Sequence, residues 1–149
     1  MQWVTRVGVR LDRAAMIWMI RTFIDPQAEI AMLPENEVMA HAEQHGATPF
    51  HHPQAAIRHQ GSRTGFDGLR VAYDVTDPAV ALMTIVLRGA ETSDKALTQW
   101  SPGIAAVTSG MRKMAQSDEA FLAAITPLLD GLYQWCQDQL ASPGRGGKD

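Results

Sequence analysis

The sequence predicts an α+β domain that is mainly helical, with helices packed beside a few short strands near the N-terminus. Two short segments before residue 34 alternate apolar and polar side chains, as half-buried strands do. From Asp77 onward apolar residues recur at helical spacing, and Pro or Ser residues stand where each helix would start. The chain of 149 residues is 46% hydrophobic and 19% charged, which suits a single packed core.

The N-terminal third is predicted to contain two strands and two helices, at Trp3–Val7, Leu11–Ile24, Ala28–Leu33 and Asn36–His45. The first helix is apolar nearly all round, which is typical of the most buried helix of a domain. Asp25-Pro26 is expected to end it, since proline disfavours a helical residue before it. Asn36 is the expected N-cap of the second helix and Gly46 its C-terminal stop.

The rest of the chain divides into an irregular stretch and a helical part. Residues 47–73 are rich in Gly, Pro and His, and we expect a strand near Thr48–His51 and a helix at Phe66–Tyr73. Three more helices are predicted, at Asp77–Leu87, Ile104–Ala115 and Ala120–Leu140, and Pro127 could kink the last of them. Residues 1–141 are expected to form one domain and residues 142–149 a flexible tail.

Charge and composition exclude several classes of protein. A net charge of −3 argues against a broad basic face for nucleic acid. The single cysteine, Cys136, cannot form an internal disulfide and is predicted to be a buried, inert thiol. No membrane span or signal peptide is recognisable, so a cytoplasmic protein with neither membrane nor nucleic-acid partners is expected. Nucleotide binding, serine hydrolysis and thioredoxin-like chemistry lack their usual motifs.

The ionisable residues concentrate in one interval. No acidic residue lies between Glu43 and Asp67, whereas the same interval contains His45, His51, His52, Arg58, His59 and Arg63. Neutral imidazoles can bind a transition metal, and arginine with protonated histidine can bind an oxyanion. A solvated polar loop would have the same composition, so the pattern alone leaves three interpretations open.

The histidines differ in their promise as ligands. Only one of the neighbours His51 and His52 can face a given pocket from an extended segment. His41 and His45 are four residues apart on a helix that also carries three glutamates, which favours a solvated outer face. His59 lies close to Gly61 and eight residues before Asp67, and it is the preferred candidate.

An ordered set of short motifs covers almost the whole chain. It begins with Trp3-Val4-Thr5-Arg6 and Leu11-Asp12-Arg13, and continues with Trp18, Ile20-Arg21, Phe23-Ile24-Asp25, Gly46-Ala47-Thr48-Pro49-Phe50, His59, Gly61 and Phe66-Asp67. It ends with Ile85-Val86, Arg88-Gly89-Ala90-Glu91, Leu132-Tyr133 and Trp135-Cys136. This set resembles the ChrB-type chromate resistance domain.

The resemblance implies a link to chromate resistance operons, in which longer members act as chromate-responsive regulators. Those members carry an additional N-terminal region that is not recognisable here, so a DNA-binding role is not expected. Two positions depart from the family pattern: Met16 and Thr64 stand where cysteines are common. Thiol chemistry on chromate at those positions is therefore not expected either.

The polar residues that remain suit a metal site, because one imidazole with two or three carboxylates can bind Mn, Fe or Zn with open coordination positions. The predicted metal ligands are His59, Glu91 and Asp67, the last as a third ligand or as an orienting residue. Asp12, as ligand or general base, and Arg13 are the predicted catalytic residues. The substrate is expected to contact Arg21, Arg58 and Trp18, although an aromatic residue on such a helix is more commonly plain core.

The leading functional hypothesis is therefore a metal-dependent pocket acting on a small anionic or aromatic molecule, as a lyase, hydrolase or isomerase. The alternative is a non-catalytic sensor of chromate, another oxyanion or a metal, using Arg58, His59 and Arg63. A third possibility is a helical interaction module with a purely structural polar cluster. A homodimer is considered because Met111 and Met114 could form a helix-packing face.

Overall fold

A computed structural model describes residues 1–142, and residues 143–149 of the predicted tail lie outside this part of the chain. The strands are β1 (Gln2–Arg6), β2 (Glu29–Leu33) and β3 (Thr48–Pro49). The helices are α1 (Leu11–Met19), α2 (Glu35–His45), α3 (Gly65–Ala72), α4 (Pro78–Glu91), α5 (Ser101–Met114) and α6 (Asp118–Ala141). The predicted fold class, α+β and mainly helical, is confirmed.

The three strands form a parallel sheet with β1 in the centre, in the order β2-β1-β3. Val4 of β1 is paired with Ala31 on one side and with Pro49 on the other. Because the strands are parallel, their carboxyl ends meet at one edge of the sheet. Ligand sites in parallel sheets commonly lie outside this edge. The segments that follow β1 and β3 therefore start close together.

Helix α1 lies at the centre of the core, as its apolar sequence predicts. All nine of its residues are buried, including the charged Asp12 and Arg13. The prediction of one α-helix to Ile24 is only partly right, because Ile20–Ile24 is a π-helical segment. It ends where the Asp25 amide donates to the Ile20 carbonyl at 2.6 Å. The Asp25 carboxylate accepts from the Trp3 indole at 3.0 Å, so the segment is tied to β1.

Two helices of the second half, α4 and α6, begin with side-chain caps. The Asp77 carboxylate accepts from the amides of Ala79 and Val80 at the start of α4. Ser117 caps α6 by accepting from the Ala120 amide. Pro127 lies inside α6 without ending it. Within residues 1–142 no helix is both long and apolar enough to cross a membrane.

Two boundaries near the irregular stretch differ from the prediction. β3 covers only Thr48–Pro49, because the chain turns after Phe50 and His51 has a positive φ of 52°. Helix α2 begins at Glu35, directly after Pro34, so Asn36 is not its N-cap. Gly46 is the predicted stop, with a left-handed φ of 63°.

Candidate functional site

The Asp12 carboxylate is the centre of a buried polar cluster at the carboxyl edge of the sheet. It lies in the first turn of α1, the element that follows β1, and reaches the N-terminus of α3. Its Oδ2 accepts from the Gly65 amide at 2.7 Å, and its Oδ1 accepts from the Phe66 amide at 3.0 Å. These two N–H groups have no partner within α3 itself, so the carboxylate satisfies both and favours the positive end of the helix dipole.

Two imidazoles approach the same carboxylate oxygen. His51, which follows β3, places Nε2 3.1 Å from Asp12 Oδ2. His59 places Nδ1 3.8 Å from this oxygen, beyond hydrogen-bond distance. Asp12 and His59 are both predicted site residues and are 47 residues apart in the sequence. The structure brings them into one cluster, to which it adds His51.

The hydrogen bond to Gly61 places one proton of the His59 ring on Nε2. Its Nε2 lies 2.8 Å from the Gly61 carbonyl oxygen, which can only accept a hydrogen bond, so Nε2 carries a proton. In the neutral ring Nδ1 then has a lone pair on the side of Asp12. Metal-bound histidines commonly donate their other ring N–H to a carbonyl in this way.

Burial and hydrogen bonding act in opposite directions on Asp12. Burial raises the pKa of this carboxyl group, but the hydrogen bond and charge of His51 and the amides of Phe66 and Gly65 together lower it below the ordinary 3.8. Asp12 is consequently ionised at neutral pH. A buried anion at this position favours a cationic neighbour, either a protonated imidazole or a metal ion.

Glu91, at the C-terminal end of α4, is the second carboxylate near this cluster. Burial and the neighbouring charge of Asp12 raise the pKa of Glu91 above its ordinary 4.5, while Lys95 and the two imidazoles lower it less. None of the ion pairs within residues 1–142 uses the Glu91 carboxylate. Two half-buried or buried carboxylates thus lie close enough to repel each other.

Asp67 has other partners. Its carboxylate accepts from Arg88 Nη2 at 2.6 Å and from Arg88 Nε at 3.2 Å, a bidentate pair. It also accepts from the Thr64 amide, while the Thr64 hydroxyl accepts from the Asp67 amide in a capping box. Asp67 therefore fixes the N-terminal turn of α3, whose next amides hold Asp12.

Gly65 lets these groups approach each other. A Cβ atom at this position would lie 2.5 Å from Met16 Sδ, 2.9 Å from His51 Cδ2 and 3.0 Å from Asp12 Oδ2. Any side chain would have to displace Met16 and press on the Asp12–His51 pair. Glycine is therefore required at position 65 because the cluster leaves no space for a side chain. The backbone conformation there does not require it.

Three of the other predicted site residues form no hydrogen bond or ion pair with the Asp12 carboxylate within residues 1–142. The Arg13 guanidinium is buried and donates to the carbonyls of Arg6, Val7 and Gly8, so it holds the turn between β1 and α1. Burial lowers the pKa of Arg13 to about 10, and it remains charged at neutral pH. Trp18 donates to Asp130 of α6 at 2.8 Å and is almost fully buried. Arg21 is exposed on the π-helical segment.

Arg58, the fourth, lies beside the imidazoles in a cleft of about 320 Å³ that is lined by Arg6, His51, His52, Pro53, Arg58 and His59. Arg58 Nη1 donates to the Ala55 carbonyl at 2.7 Å. The Arg6 guanidinium is paired with Glu35 at 2.7 Å. The cleft therefore combines two partly engaged arginines with the His51 and His59 rings.

The remaining histidines do not join the cluster. His52 is buried, with Nε2 3.0 Å from the Glu35 carbonyl and Nδ1 accepting from the Gln54 amide. The His41 and His45 rings are stacked 4.2 Å apart on α2. Across residues 1–142, no three His, Cys, Asp or Glu side chains already have the spacing that holds a metal ion.

His51 is the site residue that the sequence did not single out. The sequence does not show which of the neighbours His51 and His52 faces a pocket. In the structure the turn at His51, with a φ of 52°, directs this side chain toward Asp12. A non-glycine residue in the left-handed region is uncommon and costs of order 1–3 kcal/mol, and such residues cluster at functional sites. No sequence signal identifies that conformation.

Comparison with known proteins gives consistent results. The family model described as "ChrB, C-terminal domain" matches residues 3–136. "Protein ChrB" of Cupriavidus metallidurans is 29% identical over 133 residues, which is 89% of this chain and 40% of that protein. The chain thus spans less than half the length of this relative. No solved structure matches the chain. Because the family model matches the chain from β1 into α6, the chain belongs to the ChrB C-terminal domain family.

Proposed function

We propose that this ChrB-family domain binds a divalent transition metal (Mn, Fe or Zn) through Asp12, His59 and Glu91, with His51 as a further ligand or as a proton carrier, and acts on a small anionic molecule there. The observation that carries the proposal is the His59 ring. Its N–H is held by the Gly61 carbonyl, and its other nitrogen lies 3.8 Å from an ionised carboxylate.

The charges support the same proposal. Asp12 and Glu91 repel each other, and a cation between them would remove that repulsion. Two ligand atoms of one tetrahedral metal ion, each about 2.0–2.2 Å from it, lie about 3.2–3.6 Å apart. Asp12 Oδ2 is 3.1 Å from His51 Nε2 and 3.8 Å from His59 Nδ1, so one distance is slightly shorter than this range and the other slightly longer. Glu91 would complete the set by turning toward Asp12.

Asp67 has an indirect role in this proposal. Through the capping box and the Arg88 pair it fixes the amides that orient Asp12. An open coordination position would bind an oxygen of the substrate and polarise it, with Arg58 beside the imidazoles to receive negative charge. The enzymatic part of the proposal, a lyase, hydrolase or isomerase step, rests on this open position alone.

The test is metal titration of tag-free protein stripped with EDTA. We expect one equivalent of Zn²⁺ or Mn²⁺ to bind, and His59→Gln to weaken binding by at least about 10–100-fold, the loss that commonly follows when even a hydrogen-bonding partner of a ligand is replaced. His45→Gln is the matched control, because it removes an exposed imidazole outside the cluster. Equal affinity of His59→Gln and the native protein would refute the proposal. Loss of binding in His45→Gln alone would assign the metal to α2.

A second function is favoured by the cleft around Arg58. Two arginines and two imidazoles suit a dianion, so the domain would act as a non-catalytic sensor of chromate or a related oxyanion. This function requires no metal. Chromate binding by the EDTA-treated protein that weakens with salt and is lost in Arg58→Gln would support it. Chromate binding that depends on added metal would instead support the first function.

A further inference from the structure

A second concave surface, the basic cleft, lies between the start of α1, the end of α4 and α5, and it shares only Glu91 with the proposed metal site. It has a volume of about 350 Å³ and is lined by Arg10, Leu11, Ala90, Glu91, Lys95, Ala105, Thr108, Ser109, Arg112 and Lys113. Four of these residues are cationic and one is acidic. In a chain whose net charge is −3, this concentration of positive charge is unusual.

Two of the four cations are not engaged by acidic groups. Arg10 and Lys113 are both exposed and take part in none of the ion pairs within residues 1–142. Each therefore has all its donors available to a ligand.

The other two cations are held in place by the fold. Lys95 Nζ donates to the Ala90 carbonyl at 2.6 Å, which keeps two further protons free. The Arg112 guanidinium lies 3.5 Å from Asp118 and over the Phe121 ring, 5.3 Å from its centroid. Because these two side chains are already held in place, less conformational entropy is lost when a ligand contacts them.

The two acidic groups near the basic cleft, Asp118 and Glu91, are outnumbered by its four cations. Asp118 also accepts from the amides of Gly8 and Val9, so its charge is shared among three donors. Glu91 is the one acidic residue of the lining, against four cations, so the side chains that line the cleft have a net positive charge.

The inner wall of the basic cleft is apolar, with Leu11 buried and Ala90 and Ala105 beside it. Its volume is at the lower end of the range found for small-molecule sites. The arrangement fits a small ligand with an anionic head at the cationic rim and an apolar body against this wall.

We infer that the basic cleft is an anion-binding site for a tetrahedral oxyanion group such as phosphate, either free or as the head of a small organic ester. This site goes beyond the function proposed above. It needs no metal ion and uses other cations than the Arg58 cleft.

The test is calorimetric titration of the EDTA-treated full chain with inorganic phosphate and with phenyl phosphate, at constant ionic strength. We expect saturable binding of one equivalent. Arg10→Gln combined with Lys113→Gln should weaken it at least about tenfold, because each charge-assisted contact contributes that much or more. Tighter binding of phenyl phosphate would identify an organic ester, and equal binding a free oxyanion.

Three controls make the outcome decisive. Arg10→Lys with Lys113→Arg keeps both charges and should stay within about threefold of the native affinity, since charged contacts remain possible. Arg70→Gln removes a positive charge from α3, outside both clefts, and should have no effect. The inference is overturned by the absence of saturable binding, by an equal loss in Arg70→Gln, or by a loss in Arg58→Gln instead. Metal titration of the same samples reports separately on the proposed metal site.

Discussion

Gly65→Ala tests whether close approach at the start of α3 holds the cluster together. The added methyl group would lie 2.5 Å from Met16 Sδ, about 1 Å inside normal contact. The flexible end of Met16 can move, but the Asp12 and His51 contacts at 3.0 and 2.9 Å would be compressed as well. Overpacking of this kind costs about 1–3 kcal/mol.

Gly68→Ala, three residues along the same helix, is the matched control. Its methyl group would lie 3.6 Å from the Arg58 carbonyl and 3.9 Å from Ile57, which are ordinary contacts. The better helix propensity of alanine should then stabilise the protein by up to about 1 kcal/mol. The two variants make the same chemical change and are expected to have effects of opposite sign.

The assay is urea denaturation and, separately, thermal denaturation, each followed by circular dichroism. We expect Gly65→Ala to be less stable than the native protein by about 1–2 kcal/mol, which lowers the Tm by about 2–8 °C for a chain of this length. Its metal affinity should fall too, because Asp12 and His51 are displaced. Equal stability of the two variants, with unchanged metal affinity in Gly65→Ala, would refute this reasoning.

Three further predictions concern single groups. The pKa of Glu91 is raised on folding, so its ionisation opposes folding as the pH rises. Glu91→Gln should therefore increase the free energy of unfolding of the metal-free protein at pH 7, measured by urea denaturation. This gain should vanish below pH 4.5, where the carboxyl group is protonated in both the folded and the unfolded protein. A gain that persists at pH 3 would contradict the prediction. Asp67→Asn should cost about 1–2 kcal/mol, and a double-mutant cycle with Arg88→Gln should show coupling between the two residues; additive effects would argue against the pair. Burial raises the pKa of Cys136 to about 11, so it should react with a disulfide reagent at pH 8 only after unfolding, and rapid reaction of the folded protein would show that the thiol is accessible.

The sequence predicts the fold well where local signals are strong. The apolar surface of α1, the Asp77-Pro78 start of α4 and the Gly46 stop of α2 each depend on a few neighbouring residues, and all three are confirmed. The predicted end of the first helix at Asp25-Pro26 is confirmed as well, but the π-helical form of Ile20–Ile24 has no local signal, and Asp25 is held by Trp3 of β1. That contact depends on the packing of the sheet.

The candidate site is predictable to a smaller extent, for the same reason. Asp12 is one of two charges in a helix that is otherwise apolar, a local signal that leads to the centre of the cluster. The Asp67–Arg88 pair depends on how α3 packs on α4, and the direction of His51 depends on a turn in the irregular stretch. Arg13 has the same local signal as Asp12, yet it satisfies three backbone carbonyls instead. Local pattern thus identifies buried charge but not its partner.

The most direct test of the central claim is an anomalous diffraction measurement on crystals of the tag-free protein soaked with Zn²⁺ or Mn²⁺. The metal proposal predicts one strong peak between Asp12, His59 and Glu91, about 2.0–2.2 Å from Asp12 Oδ2 and His59 Nδ1. A peak only at His41 and His45, or none between the carboxylates at saturating metal, would contradict it.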